Sequence, residues 1–256
     1  MAAGYVLGMR VDATSYPDLV AKVMSWADNA ESRAISVATV QVVMEGYDRP
    51  VYRQLVNDCD VVTPDGMPLV WFLRAIGIAD ASRVYGPDLT LSLLQAANEK
   101  HLAVGFYGGS PEALEGFLAA VRRHFPNVNV VYAYSPPFRS LSLQEDAKVV
   151  RDICSSGVRI LFVGLGCPKQ EQWVSTHRGS IPAVMIGVGA AFDFLSGAKP
   201  QAPKWMQRNG LEWLFRFATE PRRLFWRYTR QNPRFVFFAG RQLLLHRRAQ
   251  RTQVTS

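Results

Sequence analysis

Cysteine is scarce in this chain: Cys59, Cys154 and Cys167 are the only three among 256 residues. They are too few and too scattered for a disulfide framework or a zinc site, and they fit free thiols in a reducing cytosol. The four histidines form no i, i+4 pair and no HExxH, and no Ser–His–Asp arrangement is suggested, so metalloenzyme and hydrolase chemistry lack support. No apolar run approaches the roughly 20 residues that span a bilayer. The longest, Ile181 to Phe192, reads as a buried strand and the loop after it. The first twenty residues lack the basic and then apolar segments of a signal peptide, so a cytoplasmic protein is expected. No repeat or low-complexity segment occurs, and 48% hydrophobic with 20% charged residues excludes a disordered or collagen-like chain.

Negative charge is missing from one part of the chain. From Lys199 onward there are 13 of the 29 Lys and Arg residues but only 2 of the 21 acids, Glu212 and Glu220. Residues 1–198 keep 16 basic and 19 acidic groups, so the formal +8 belongs wholly to the last 58 residues. Charge of this sign and density points to an anionic partner: lipid headgroups, a diphosphate or nucleic acid.

What is present is a βα alternation. HLAVGFYGG reads as a strand ending in glycines, and Ser110-Pro111 as a cap and first turn. Leu114, Phe117, Leu118, Val121 and Phe125 then form one helical stripe. Val128–Ala133 predicts a strand and Leu141–Ser155 a helix. RILFVG (159–164) and AVMIG (183–187) are short apolar strands of the kind covered on both faces. Further strands are expected at Ala34–Ala38 and Val61–Thr63, and helices at Val40–Tyr47, Met67–Ile76 and Asp88–Glu99. The expected fold is α/β, a Rossmann-like, mostly parallel sheet with flanking helices and a basic helical C-terminal appendage. The division falls into a core at 1–198 and an appendage at 199–256, with Pro200–Gln207 as a loop between them.

Three strand ends carry glycine where a helix begins: Gly108-Gly109, Gly164-Leu-Gly166 and Gly187-Val-Gly189. Such loops let a phosphate approach backbone N–H groups at a helix N-terminus, or simply make tight turns. The dinucleotide fingerprint fails, because Lys169 and Phe192 stand where GxGxxG needs its third glycine, and no P-loop is present. Beside these loops, Asp65 in Thr63-Pro-Asp65-Gly follows an apolar strand, where it suits a general base or a helix cap. Arg83, ahead of Gly86-Pro-Asp88, could clamp a diphosphate, and Asp88 suits a cap. Lys169, Gln170 and Glu171 start a helix directly after the Gly164 loop.

In the tail, arginines interleave with Trp213, Phe215, Phe217, Phe225, Trp226, Tyr228, Phe235, Phe237 and Phe238. This is the composition an interfacial helix presents to anionic lipid. Packing on the core or on a second subunit competes with that reading, and so does single-stranded nucleic acid. No recognisable nucleic-acid module is present, and no nucleic-acid partner is expected.

The strings TPDGMPLVW, RVYGPDL, GFYGGSPEAL, VGLGCPKQEQW, GVGAAFDFLSG and APKWMQRNGLEWLFRFATEPRRLFWRY resemble, in order and spacing over residues 5 to 235, the WecG/TagA/CpsF glycosyltransferases. The resemblance implies an inverting, metal-independent transfer from a UDP-sugar, with no cofactor. The sugar would be N-acetylmannosamine-like, glucose or a uronic acid. The acceptor would be a polyprenyl-diphosphate-linked saccharide at the inner face of the cell membrane. It makes Asp65 the base, and it places Thr39, Arg83 and Gln170 in the active site. The family's Thr-x-Asn is Thr39-Val-Gln41 here. Arg216, Arg222 and Arg223, with Arg227 beside them, would neutralise a diphosphate or meet the membrane. The expected substrate-binding set is therefore Thr39, Gln41, Arg83, Gly108, Gly109, Gly164, Gly166, Lys169, Gln170, Glu171 and Gly189. A homo-oligomer is expected where the apolar tail self-associates, and the tail is expected to close over the site at the bilayer. A nucleotide-cofactor oxidoreductase and a non-catalytic membrane adaptor are the competing readings.

Overall fold

The computed structural model describes residues 1–254, with side chains placed through residue 249. The last two residues of the expected appendage, 255–256, and the side chains of 250–254 lie outside the described residues. The chain opens with a hairpin of β1 (Ala3–Val6) and β2 (Met9–Asp12), paired antiparallel. Its two-residue turn, Leu7-Gly8, has positive φ at both positions, the geometry that matches strand twist. Helix α1 (Tyr16–Asp28) follows, capped by the Ser15 side chain and burying Leu19, Val23, Met24 and Ala27.

The centre is a six-stranded sheet. The chain runs β3 (Arg33–Ala38), α2 (Val40–Asp48), α3 (Pro50–Asn57), β4 (Val61–Pro64), α4 (Met67–Ala75), α5 (Gly86–Lys100), β5 (Ala103–Gly108), α6 (Pro111–His124), β6 (Asn129–Tyr134), α7 (Leu143–Ser155), β7 (Ile160–Gly164), α8 (Lys169–Thr176), β8 (Val184–Gly187) and α9 (Ala191–Leu195). Strand order is β4-β3-β8-β7-β5-β6, every neighbouring pair parallel. The alternation of strand side chains divides the core in two. Ala34, Ala38, Leu161, Val163 and Met185 face one cluster, while Ile35, Val37, Ile160, Phe162, Val184 and Ile186 face the other. That double burial is why these strands read as continuous apolar runs.

The neighbours β3 and β8 send their helices to opposite faces. Val42, Val43 and Met44 of α2 join the first cluster, and Ala191 and Phe192 of α9 join the second. A crevice therefore opens at the carboxyl ends of these strands, where open α/β sheets hold ligands.

The appendage is α10 (Lys204–Arg208), α11 (Glu212–Thr219) and α12 (Pro221–Val254), the last running through Pro233. Pro200–Gln207 is thus a loop only in its first half. Pro203 stands at the cap of α10, where its missing N–H costs nothing, and the residues after it are free to be helical. Asp88 is likewise not the cap of α5: Tyr85 holds that place, and Asp88, in the first turn, pairs with Lys204 at 3.0 Å. The appendage packs against the core in this structure. Phe235 and Ala239 are buried in the first cluster, and Phe238 stacks on Tyr47 at 4.7 Å. Farther along, Gln242 caps the hairpin, accepting from the Leu7 N–H at 2.8 Å and donating to the Tyr5 carbonyl at 2.7 Å.

The outward side of α12 is apolar and basic together. Trp226, Phe237 and Leu244 are 78%, 66% and 62% exposed. Spacings of 11 and 7 residues put them on one helical face, spread over about 27 Å. Arg222 and Arg230 are exposed nearby on the same helix. No helix among the described residues is long and apolar enough to cross a membrane.

Candidate active site

Asp65 follows the last residue of β4. Its N–H donates to the Ala38 carbonyl at 2.8 Å, which ties this loop to the end of β3 beside Thr39. Helix α4 is capped by Gly66 with no side-chain bond, so the Asp65 carboxylate is not spent as a cap. It accepts instead from Arg83 Nη2 at 3.1 Å, while Arg83 Nε donates to the Asp65 backbone carbonyl. The guanidinium lies 4.3 Å over the Tyr85 ring. Only 15% of either side chain is exposed. Burial pushes the Asp65 carboxyl up, the Arg83 charge opposes this, and the Glu212 carboxylate adds to the rise, leaving it at about 6. A carboxylate with that value is charged at neutral pH yet basic enough to take a proton from a hydroxyl as its bond forms.

The appendage completes this group. Glu212, in the first turn of α11, meets Arg83 Nη2 at 2.5 Å, and the Gln207 carbonyl accepts from Arg83 Nη1 at 3.4 Å. Arg216 Nε stands 3.9 Å from Glu212, with its guanidinium 4.8 Å from the Phe194 ring centre. On α12, Arg227 donates to Gln41 Oε1 at 2.9 Å, and Gln41 Nε2 reaches the Cys167 carbonyl at 3.5 Å. Thr39 caps α2 through its hydroxyl, which accepts from the Val42 N–H. The Nε atoms of Arg216 and Arg227 are buried without a hydrogen-bond partner. Buried donors are almost always paired, so these two have capacity left for an anion.

Of the two uses the sequence allows for the glycine loops, this structure displays the tight turn. Gln170 Oε1 accepts from both the Gly166 N–H at 3.1 Å and the Gly189 N–H at 3.0 Å, and the Gly109 N–H is taken by the Gly164 carbonyl at 3.0 Å. Those three N–H groups hold the loops to one another, as the tight-turn alternative expects. Gly108 is required by packing: with φ of +120°, a Cβ there would lie 2.5 Å from the Gly164 carbonyl group. Gly164 in turn faces the Phe192 ring, 2.8 Å from where its own Cβ would stand.

The start of α8 separates into unlike positions. Lys169 is exposed, while Gln170 joins the two loops. Glu171 is 0% exposed, accepting from Gln170 Nε2 at 2.7 Å and from the Tyr52 hydroxyl at 3.1 Å. Its carboxylate is thus engaged by protein groups on the core side of α8 rather than lying beside Asp65 and Arg83. Arg222 and Arg223 are exposed, and Arg223 is held by Glu220 at 2.5 Å. The structure therefore gathers Asp65, Arg83, Thr39, Gln41, Arg216 and Arg227, and leaves Lys169, Glu171, Arg222 and Arg223 outside the group.

Sequence reasoning missed Glu212, Tyr85 and Phe194 as parts of this site. The signal for Glu212 was its rarity, one of two acids in a strongly basic segment. Among the described residues, no group of three or more His, Cys, Asp or Glu is arranged to hold a metal ion.

A family model described as the glycosyl transferase WecG/TagA/CpsF family matches residues 5–249. The N-acetylglucosaminyldiphosphoundecaprenol N-acetyl-beta-D-mannosaminyltransferase of Bacillus spizizenii is 32% identical over 213 residues, covering 83% of this chain and 80% of its own length. Proteins of the same name from Bacillus subtilis and Staphylococcus aureus are 29% and 27% identical, over 85% and 86% of this chain and 81% and 85% of theirs. With the motifs in order, a parallel sheet carrying Asp65 at a strand end and an arginine-bearing appendage closed over it, the chain belongs to the WecG/TagA/CpsF family of glycosyl transferases.

Proposed function

We propose that this enzyme transfers an N-acetylmannosamine-like sugar from a UDP-sugar to a polyprenyl-diphosphate-linked saccharide, with inversion and without a metal ion, in surface-polysaccharide synthesis. The observation that carries the reading is the meeting of one strand-end carboxylate with arginines from both core and appendage. Asp65 contacts Arg83 directly, and Arg216 and Arg227 hold buried donors without partners.

In this reading the acceptor hydroxyl oxygen bonds to the anomeric carbon from the face opposite UDP. Its proton passes to Asp65, and the carbon–oxygen bond to UDP breaks with its electron pair leaving on the diphosphate. Arg216 and Arg227, fixed donors in a partly dry site, neutralise the charge that develops there. The relatives named above act, by name, on an acceptor of this kind. Residues 1–198 are the transferase core in this scheme and 199–256 the appendage. The exposed Trp226, Phe237 and Leu244 face, with Arg222 and Arg230, seats the enzyme on anionic lipid at the inner membrane face, where such an acceptor resides. Without lipid, the same face drives self-association.

The test is UDP release from a panel of UDP-sugars with a short polyprenyl-diphosphate saccharide and EDTA present, comparing wild type with Asp65→Asn. One donor turned over by wild type and lost in the variant supports the reading and names the sugar. No turnover and no UDP binding would overturn it.

A further inference from the structure

Arg83 is shared between two carboxylates that come from different parts of the molecule. Asp65 approaches it from the end of β4 at 3.1 Å, and Glu212 approaches the same Nη2 nitrogen from α11 at 2.5 Å. The two acids are far apart in sequence and meet at this guanidinium. Both are largely buried, at 15% and 14% side-chain exposure, so solvent screens their interaction poorly. Glu212 is also one of only two acids among the last 58 residues, and a carboxylate in that basic segment works against any purely anion-binding role.

We propose that Glu212 is a positioning residue of the transfer site: from the appendage it shares the Arg83 guanidinium with Asp65, so the seating of α11 decides how Asp65 is held for proton abstraction. The inference rests on the reading of Asp65 as the base. Without Glu212, Arg83 would give its full charge to Asp65, and a carboxylate locked in a complete ion pair is a weaker base. With Glu212 in place, Arg83 still fixes the Asp65 carboxylate and its backbone carbonyl, but its charge is divided. Asp65 stays oriented without being neutralised.

The charged and titratable groups around Asp65 are consistent with this division. Arg83 reaches it from the loop ahead of α5, Glu212 and Arg216 from α11, and Tyr85 and Tyr16 from the start of α5 and from α1. Of these, Glu212 alone brings a second negative charge into hydrogen-bond range of the shared arginine. The arrangement links chemistry to assembly, since a core whose appendage is lifted away loses the carboxylate that, after burial itself, adds to the basicity of Asp65.

The direct test is the titration of the Asp65 carboxyl carbon by NMR in wild type and Glu212→Gln, which keeps a side-chain oxygen for Arg83 and removes only the charge. The midpoint is expected to fall by about one pH unit. Glu212→Asp, which restores the charge on a shorter stem, is expected to bring it most of the way back. An Asp65 midpoint that is the same in wild type and Glu212→Gln overturns the inference, and so does a Glu212→Asp variant that behaves like Gln. The acid limb of kcat/KM is expected to follow the NMR midpoint downward in Glu212→Gln. A midpoint that moves while that limb stays fixed overturns Asp65 as the base, which separates failure of the proposed function from failure of the link to Glu212.

Discussion

Arg83 holds Asp65 at two points, donating through Nη2 to the carboxylate at 3.1 Å and through Nε to the backbone carbonyl of the same residue. Because the same guanidinium is fixed to the backbone of this residue, its bond to the carboxylate favours one rotamer, which a base needs if it is to meet a hydroxyl in a fixed direction. Burial leaves this carboxyl titrating at about 6 rather than in the usual aspartate range. The base works in its ionised form, present above that value. Activity, read as kcat/KM, is therefore expected to rise tenfold per pH unit below about 6 and to level above it. A profile flat from pH 5 to 8 would mean that no group titrating in this window controls the step.

Gly108 and Gly166 both have positive φ but differ in what surrounds them. A Cβ on Gly108 would strike the Gly164 backbone at 2.5 Å, whereas a Cβ on Gly166 would meet nothing within 4 Å. Backbone has no rotamer to yield with, so Gly108→Ala is expected to cost about 3 kcal/mol or more, from strain and overpacking together. Gly166→Ala carries only the left-handed penalty of about 1–2 kcal/mol. Urea denaturation of the two variants measures the difference directly. Equal losses would show that the approach of β5 to β7 at this point is softer than its geometry implies.

Much of the core was legible because the physics there is local. The apolar runs of β7 and β8 announced double burial, and Ser110-Pro111 announced a capped helix that the structure confirms, with Ser110 Oγ accepting from the Ala113 N–H. In the site, the residues alone pointed to Asp65 at a strand end and to Arg83 ahead of a turn, while Thr39, Gln41, Arg216 and Arg227 came through the family resemblance. What the sequence hides is orientation and distance along the chain. Lys169, Gln170 and Glu171 are adjacent, yet one faces solvent, one joins two loops and one is sealed in the core. Nothing in their order tells which face of the first helical turn points inward. Glu212 meets Arg83 across 129 positions, a pairing that only the docking of α11 creates. The N-terminal hairpin and α1 left no strong period to read.

Glu171 gives a prediction about stability rather than catalysis. It is fully buried, and that burial raises its carboxyl above the ordinary glutamate range despite the opposing bonds from Gln170 and other neighbours. A raised native value means the folded state keeps its proton where the unfolded chain has lost it. The stabilisation from this group is full below the unfolded value near 4.3 and declines as pH rises through the native value. Glu171→Gln keeps the shape and removes the proton equilibrium. The pH dependence of unfolding free energy is expected to flatten above about pH 4.3 in the variant. Denaturant titrations from pH 4.5 to 8 test this, and an unchanged slope would assign the dependence to other groups.

Among the contacts that dock α12, a charged one and an apolar one are adjacent in sequence, and their magnitudes decide between them. Arg234 makes a two-point ion pair with Asp48, at 2.9 and 2.5 Å, but both side chains are about a third exposed. Exposed pairs of this kind contribute about 0–1 kcal/mol, because water already solvates both charges and two long side chains must be held still. Phe235, the next residue, is 5% exposed and packed in the same cluster as α2 and α4. Truncating a buried phenylalanine costs about 3–5 kcal/mol, through lost transfer free energy and the cavity left behind. Phe235→Ala is therefore expected to release α12, seen as loss of amide-exchange protection along the helix while β3, β7 and β8 stay protected. Asp48→Asn is expected to leave that protection in place at moderate salt. The reverse result, a helix freed by Asp48→Asn and held in Phe235→Ala, would mean that charge rather than burial fastens the appendage, and high salt should then release it from the wild-type chain as well.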